Sequence, residues 1–328
     1  MSVVSIDELA QVQTPLDLPG ARDQPQAPGQ GQGPRCWTVK QLTGCFGAEL
    51  SGAVLSDDGA AGEILDLLHN YRVLVIRGQD LSPAGQVALA RRLGTPTPAH
   101  PVIPSLPGFP EILPVDGALG GKNARWHTDV TFVPRPPAAS ILVADELPSH
   151  GGDTLFADMR SAYLGLSGAL REMINGLSAV HRISPLAYWG EPFDTALSRD
   201  DAMAMYEQSK SVPPVVHPVV RVHPITGLCS LFVNPGFTSH IAGFSRHESD
   251  GVLRVLYEHA TQPEFVLRHR WEVGDVLLWD NQATMHYATD DYGTATRRMR
   301  RVTLAGVEPI GPTGIVSHIS DDPLLTVR

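Results

Sequence analysis

The 328-residue chain predicts a mostly β fold with peripheral helices, a double-stranded β-helix or jelly roll. Three observations point there. Short β-branched runs recur along the chain between Gly, Pro and Asp turns. His127 and Asp129, which have metal-ligand chemistry, lie far in sequence from His286, and the two facing sheets of a jelly roll bring such strands together around a pocket. A doubly wound α/β fold would need a Gly-rich strand-to-helix turn, and none stands at a suitable place.

Residues 1–34 are rich in Pro, Gly and Gln and have little apolar surface to bury, so they are read as a disordered leader, or else as a partner-binding arm. The folded domain, 35–312, opens at Trp37-Thr38-Val39, and alternation from Phe46 to Leu50 gives a short strand or hairpin. Ile64, Leu65, Leu67 and Leu68 set a helix over 58–71, and Tyr71 to Arg77 reads as a buried strand. Ser82 and Pro83 supply an N-cap and a first-turn proline for a helix running to Leu93. From Arg125 to Val133, aromatic and β-branched residues predict a strand on which His127 and Asp129 share a face. Ala139–Ala144 and Thr154–Ala157 read as strands on either side of a Gly151-Gly152 turn. Single helices are expected over 160–176 and 246–261, and strands over 215–222, 229–234, 264–270, 275–279 and 299–307. Residues 313–328 form a C-terminal tail.

The net charge of −10 argues against a nucleic-acid partner, which would call for a basic surface. Cys36, Cys45 and Cys229 fit no even disulfide framework. With no signal-peptide pattern and no long apolar run, the expectation is a cytoplasmic protein with no membrane partner. The oligomeric state stays open, a homo-oligomer included.

Two imidazoles and a carboxylate hold one face of Fe(II) and leave positions for an oxidant and a co-substrate. The His-x-Asp step is weak alone: among 13 His and 35 acidic residues roughly one arises by chance, and a surface His beside an acid is spelled the same way. His286 follows an apolar strand in the block Trp279 to Ala288, where it suits either a third ligand or a hydrogen-bonded structural role. Arg297, Met299 and Arg301 would share one side of a strand. Two guanidiniums facing a pocket suit two anions, whereas the same run on a solvated face would be ordinary.

Over about residues 37–310 the chain resembles the taurine/2-oxoglutarate dioxygenase (TauD/TfdA) family. The resemblance rests on Trp-His-Thr-Asp-Val-Thr-Phe at 126–132, Gly-Gly-Asp-Thr at 151–154, His-Pro-Val-Val-Arg at 217–221, Trp-Asp-Asn at 279–281 and Arg-Val-Thr-Leu at 301–304. It implies that His127, Asp129 and His286 ligate Fe(II) and that Thr154 and Arg297 hold the distal carboxylate of 2-oxoglutarate. His100, Asn123 and Arg301 would then approach an anionic substrate. The reaction it implies consumes 2-oxoglutarate and O2, gives succinate and CO2, and hydroxylates a substrate carbon, with ascorbate as an activator in vitro. If that carbon bears a sulfonate, sulfate or phosphate ester, the adduct collapses to an aldehyde and releases the anion. Ile103 stands where taurine-oxidising members have Tyr, and Pro235 where they have an acid. The segment 181–193 also departs, and its Tyr188, Trp189 and Phe193 suggest a larger lid. The substrates to weigh are a sulfonate or sulfate ester, a phosphate ester such as a nucleoside monophosphate, and an amino-acid-like intermediate of specialised metabolism such as antibiotic biosynthesis. A jelly-roll binding protein without turnover is the alternative of a different class.

Overall fold

Thr38–Gln41 (β1) pairs antiparallel with Ala48–Ser51 (β2), forming the expected hairpin. The structure, a computed structural model, describes residues 37–55, 58–116, 124–183 and 199–320; the leader, Asn123, Tyr188, Trp189 and Phe193 lie outside the described residues. Helix Ala61–Tyr71 (α1) buries Ile64, Leu67 and Leu68, the stripe that predicts it. It ends on Arg72 in the left-handed region (φ 63). There a non-glycine residue costs about 1–3 kcal/mol and persists only where its surroundings over-determine it. Arg72 meets that condition: its guanidinium donates to the carbonyls of Asn70 and Cys45 and to the Asp158 carboxylate.

The wholly buried strand Val73–Ile76 (β3) follows, then Pro83–Leu93 (α2), whose N-cap Ser82 accepts from the Gly85 amide at 3.1 Å. Next come Leu113–Asp116 (β4), Ala139–Glu146 (β5) and Thr154–Asp158 (β6). The single helix expected over 160–176 is two, Met159–Gly165 (α3) and Gly168–Asn175 (α4). Ser167 restarts the backbone by accepting from the Leu170 amide, a cap hidden inside an apolar periodicity. Ser178–His181 (β7) and Arg199–Lys210 (α5) lead to Val215–Pro218 (β8) and Val220–Val222 (β9). The strand expected over 215–222 breaks at Val219, whose amide turns to Leu177 and whose carbonyl accepts from Phe232. Cys229–Leu231 (β10), Thr238–Ile241 (β11) and Arg246–Ala260 (α6) follow, the last opened by a capping box of Ser245 and Glu248. Val266–His269 (β12), Val276–Asp280 (β13), Thr284–Ala288 (β14), Arg298–Leu304 (β15) and His318–Ile319 (β16) complete the order. Within the stretch read as a tail, β16 pairs with β8.

The largest sheet runs β1-β2-β3-β13-β5-β15-β4, and smaller sheets run β12-β6-β14, β11-β7-β8-β16 and β10-β9. Period-2 alternation sorts the large sheet's side chains onto two faces. Leu74, Ile76, Ile141, Val143, Leu278 and Val302 pack in one cluster with the apolar stripes of α1 and α2. Val73, Val75, Leu142, Leu277, Trp279 and Met299 pack in another with Phe156 of β6 and Leu267 of β12, between the sheets. The site is built on that inner face. The strand expected from Arg125 to Val133 is not one: His127 makes a single antiparallel bridge to His286, and the chain then turns.

Behind that turn lies a buried polar network. His217 Nε2 meets the Thr131 carbonyl at 2.8 Å, its Nδ1 meets Ser317 Oγ at 2.7 Å, and Thr131 Oγ1 contacts His181 Nδ1 and Asn234 Nδ2. Burial, with Arg221 adding to it, lowers His217 to about 3; burial and then His217 push His181 well below the usual range. An unfolded imidazole titrates near 6.5. Between these values the unfolded chain binds more protons, so the contribution is complete above pH 6.5 and is lost as pH falls toward 3. Thermal melts across this range are expected to show falling stability already between pH 6.5 and 4.5, before carboxylates protonate. His217→Gln should lower Tm at neutral pH and flatten that slope.

Candidate metal centre

The backbone brings the two imidazoles together. His127 N donates to the His286 carbonyl at 2.9 Å and His286 N returns the bond at 2.7 Å, so the residues are directly opposed and their rings lie 4.1 Å apart. The turn after Thr128, with Val130 at φ 53, swings Asp129 back beside them. Asp129 Oδ1 is 3.8 Å from Nε2 of each histidine, and one donor atom from each residue falls within 4.8 Å of the others. All three are buried.

Burial raises the Asp129 carboxyl, but Arg301 and the two imidazoles, helped by the Ser140 hydroxyl, outweigh it and bring the carboxyl down to about 2. Burial holds His127 and His286 below the usual imidazole range. Neutral imidazoles beside an ionised carboxylate are the forms in which these groups bind a divalent metal. His127 Nδ1 sits 2.9 Å from the Arg125 carbonyl, an outer contact of the kind that fixes a ligating ring. The donor set therefore fits a ferrous ion on one face.

Beside the triad, the pocket is lined by Thr154, Arg297 and Arg301, with Leu142, Trp279 and Tyr292 as walls. The Arg297 guanidinium is buried and donates to neutral oxygens, the Gly152 carbonyl at 2.9 Å and the Thr154 hydroxyl at 3.4 Å. Burial lowers its pKa, and the nearby Tyr292 and Asp153 offset this only in part. A bound carboxylate would complete it, which is the fit for 2-oxoglutarate. Gly151 and Gly152 both have positive φ, and a Cβ on Gly152 would lie 3.0 Å from Arg297 Cδ, so this turn needs glycine to pack the arginine.

Arg301, on the same side of β15 as Met299, reaches Asp129 Oδ1 with Nη1, while its Nε is buried without a partner. His100 Nδ1 accepts from the amides of Val102 and Ile103, each at 3.0 Å, which puts the ring proton on Nε2. Burial, then Arg301, lower its pKa to about 3, so His100 is a neutral donor. Of the eight residues singled out from the sequence, the structure gathers Thr154, Arg297 and Arg301 around the triad and couples His100 to Arg301; Asn123 falls outside the described residues.

Two residues that hold Asp129 were not anticipated. Asn281 Oδ1 accepts from the Asp129 amide at 2.9 Å and its Nδ2 donates to the Asp129 carbonyl at 3.1 Å. Ser140 Oγ donates to Asp129 Oδ2 at 2.8 Å. The available signals were a lone serine inside an apolar strand and the amide closing Trp-Asp-Asn. Gly236 matters as well, since a Cβ there would come within 2.7 Å of His127 Cβ.

A family model described as taurine catabolism dioxygenase TauD, TfdA family matches residues 38–303. The chain belongs to the TauD/TfdA family. It is 42% identical over 290 residues to an alpha-ketoglutarate-dependent sulfate ester dioxygenase of Pseudomonas putida, covering 85% of this chain and 93% of that protein. It is 37% identical over 281 residues to an alkylsulfatase of Acinetobacter baylyi, covering 84% and 87%. The crystal structure of a taurine dioxygenase from Burkholderia xenovorans aligns with TM-score 0.74 and 38% identity over 88% of this chain and 97% of that one. The jelly-roll fold and the alpha-ketoglutarate-dependent dioxygenase class expected from the sequence both hold, and the family chemistry uses 2-oxoglutarate and O2 with iron.

Loss of an outer contact to a metal ligand typically weakens metal binding about 10–100-fold. Asn281→Ala is expected to weaken Mn(II) binding, read by electron paramagnetic resonance, within that range while the far-ultraviolet circular dichroism stays unchanged. Asp129→Ala should abolish specific binding.

Proposed function

We propose that this TauD/TfdA member is a sulfate-ester dioxygenase. In this reading it oxidises the carbon that carries the ester oxygen and thereby releases sulfate. The observation that carries this is the pair of buried guanidiniums, Arg297 and Arg301, flanking the His127–Asp129–His286 face. Arg297 has no carboxylate bonded to it and Arg301 keeps an unpartnered Nε beyond its Asp129 contact, which suits two anions, a co-substrate carboxylate and a substrate anion. Arg297 with Thr154 binds the far carboxylate of 2-oxoglutarate, and Arg301 with the Nε2–H of His100 binds the sulfate. Relatives whose names specify sulfate esters and alkyl sulfates favour this class over the sulfonates and phosphate esters.

Iron held by His127, Asp129 and His286, with 2-oxoglutarate bound, supplies the chemistry that activates O2 and hydroxylates the substrate carbon. The chain's own residues orient the reactants and exclude water. Val102, Ile103, Val130, Phe132 and Phe237 form an apolar cluster around His100 and His127, suited to the alkyl part of an ester. Once the carbon bears both a hydroxyl and the sulfate oxygen, loss of the hydroxyl proton forms the carbonyl and breaks the C–O bond, with the electron pair leaving on sulfate. The balance is R–CH2–OSO3⁻ with 2-oxoglutarate and O2 giving R–CHO, hydrogensulfate, succinate and CO2.

The test is sulfate release from a panel of alkyl sulfates, alkyl sulfonates and phosphate esters with Fe(II), 2-oxoglutarate and ascorbate, which keeps the iron ferrous. Sulfate equal to succinate formed, with alkyl sulfates preferred, is the expected result; coupled turnover of phosphate esters or sulfonates alone would replace the substrate assignment. A hydrogen bond to a charged group contributes about 1.5–3 kcal/mol, so Arg297→Ala should raise KM for 2-oxoglutarate roughly 10–100-fold. Arg301→Ala should raise KM for the alkyl sulfate by a similar factor. Because His100 is already neutral in the free enzyme, kcat/KM for the alkyl sulfate is expected to show no imidazole limb between pH 5.5 and 8.

A further inference from the structure

A second cluster of basic groups lies on the other side of β13, away from the metal pocket. A small cavity there is lined by His69 and Arg72 at the end of α1, Arg160 at the start of α3, His223 and Ser230 from β10 and the turn before it, and Asp280. Arg72 is nine-tenths buried or more, its Nε has no hydrogen-bond partner, and the buried Nε of Arg160 has none either. Arg221, buried beside this cluster, stacks on Phe232 and donates to Gln282 through Nη2, leaving Nε and Nη1 without partners.

The carboxylates nearby are already engaged. Asp158 accepts from Arg72 Nη2, the Arg160 amide and the Ser161 hydroxyl. Asp280 accepts from the Gln282 amide and faces His223 Nε2 at 2.9 Å. His223 Nδ1 accepts from the amides of Ile225 and Thr226, so its proton is on Nε2 and the ring is the neutral tautomer. Three guanidiniums therefore face two carboxylates, and one positive charge is left over, with the half-buried Arg160 at the edge of the cavity. Arginine does not lose its charge, so an excess here calls for an anion or for solvent at the cavity edge.

We propose that this cavity binds one small monovalent anion of the halide class, held by the Nε–H groups of Arg72 and Arg160. The cavity has room for a single small ion or water, which favours a halide over a sulfate-sized occupant. A water would satisfy the N–H groups but leave the charge uncompensated. The lowered pKa values of Arg160 and Arg221, with burial the leading cause in each, agree with a cluster short of negative charge. The anion also braces the metal centre. Asp280 begins the turn whose next residue, Asn281, holds both backbone polar groups of Asp129.

The test compares the full chain in chloride and in gluconate at equal ionic strength. An anion bound only by the folded state raises Tm, here by about 2–4 °C at saturation. Crystals grown in bromide should give an anomalous peak within hydrogen-bond distance of both Nε atoms. Arg160→Gln should lose the halide-dependent shift, and Arg246→Gln, which alters an exposed pair with Asp250, should keep it. Equal Tm in the two salts, or no bromide peak in the wild-type crystal, overturns the proposal and leaves an ordered water as the occupant. The bromide measurement needs no variant, so a poorly folding Arg160→Gln does not blur the result.

Discussion

The burial of the Asp129 carboxylate is the constraint around which the centre is arranged. A charge taken out of water must be met by opposite charge and by hydrogen bonds on its remaining lone pairs. Arg301 comes from β15, Ser140 from β5, and one imidazole from β14. Each of these lies on the inner face of its strand, at the same parity as Met299, Leu142 and Thr284 respectively. A slip of β15 by one residue would present Arg300 or Val302 in place of Arg301 and leave Asp129 without its cation. Arg300 is already committed on the opposite face, bonded to both oxygens of Asp145. The register of the large sheet and the charge state of the site are thus one requirement.

The second requirement is conformational. A continuous strand through 127–133 would keep the ladder running, but a carboxylate so placed would not face back across the His127–His286 pair. The chain turns instead, with β-branched Val130 in the left-handed region, a costly conformation for such a side chain. The surroundings that over-determine it are visible. Asn281 bonds the Asp129 amide and carbonyl, and Val130 packs with Val102, Phe132, Ile183 and Phe237. Strain at a ligand-bearing turn, fixed by rigid neighbours, is how a site stays in place before its metal arrives.

This explains which features were legible in the sequence. The elements defined by periodicity, such as α1, α2, β3, β5 and α6, form where apolar spacing and caps place them, because local propensity and burial agree there. The His, Asp and Arg of the pocket were legible as residue types whose chemistry needs company. The turn at 129–132 was not, since its aromatic and β-branched residues carry strand propensity and only tertiary contacts override it. The break between α3 and α4 was hidden for a related reason: a capping serine inside an apolar repeat looks like one more tolerated polar residue. Asn281 and Ser140 hold Asp129 from positions that sequence spacing does not connect.

The chain carries a net charge of −10, yet it gathers two buried guanidiniums, Arg297 and Arg301, in one pocket. The overall acidity does not oppose anion recognition strongly, because exposed charges are screened over about 8 Å at physiological ionic strength. Inside the pocket that screening is weak, and Arg297 and Arg301 dominate the local field. Recognition by such a site is local in origin. On the proposed reading, its affinity would come from two buried forks already oriented by Thr154 and Asp129, with little contribution from long-range steering. On that reading the same arrangement would keep the two arginines from competing for one anion. Arg297 is tied to the Gly152 carbonyl and Arg301 to the metal-binding carboxylate, so each addresses its own part of the pocket.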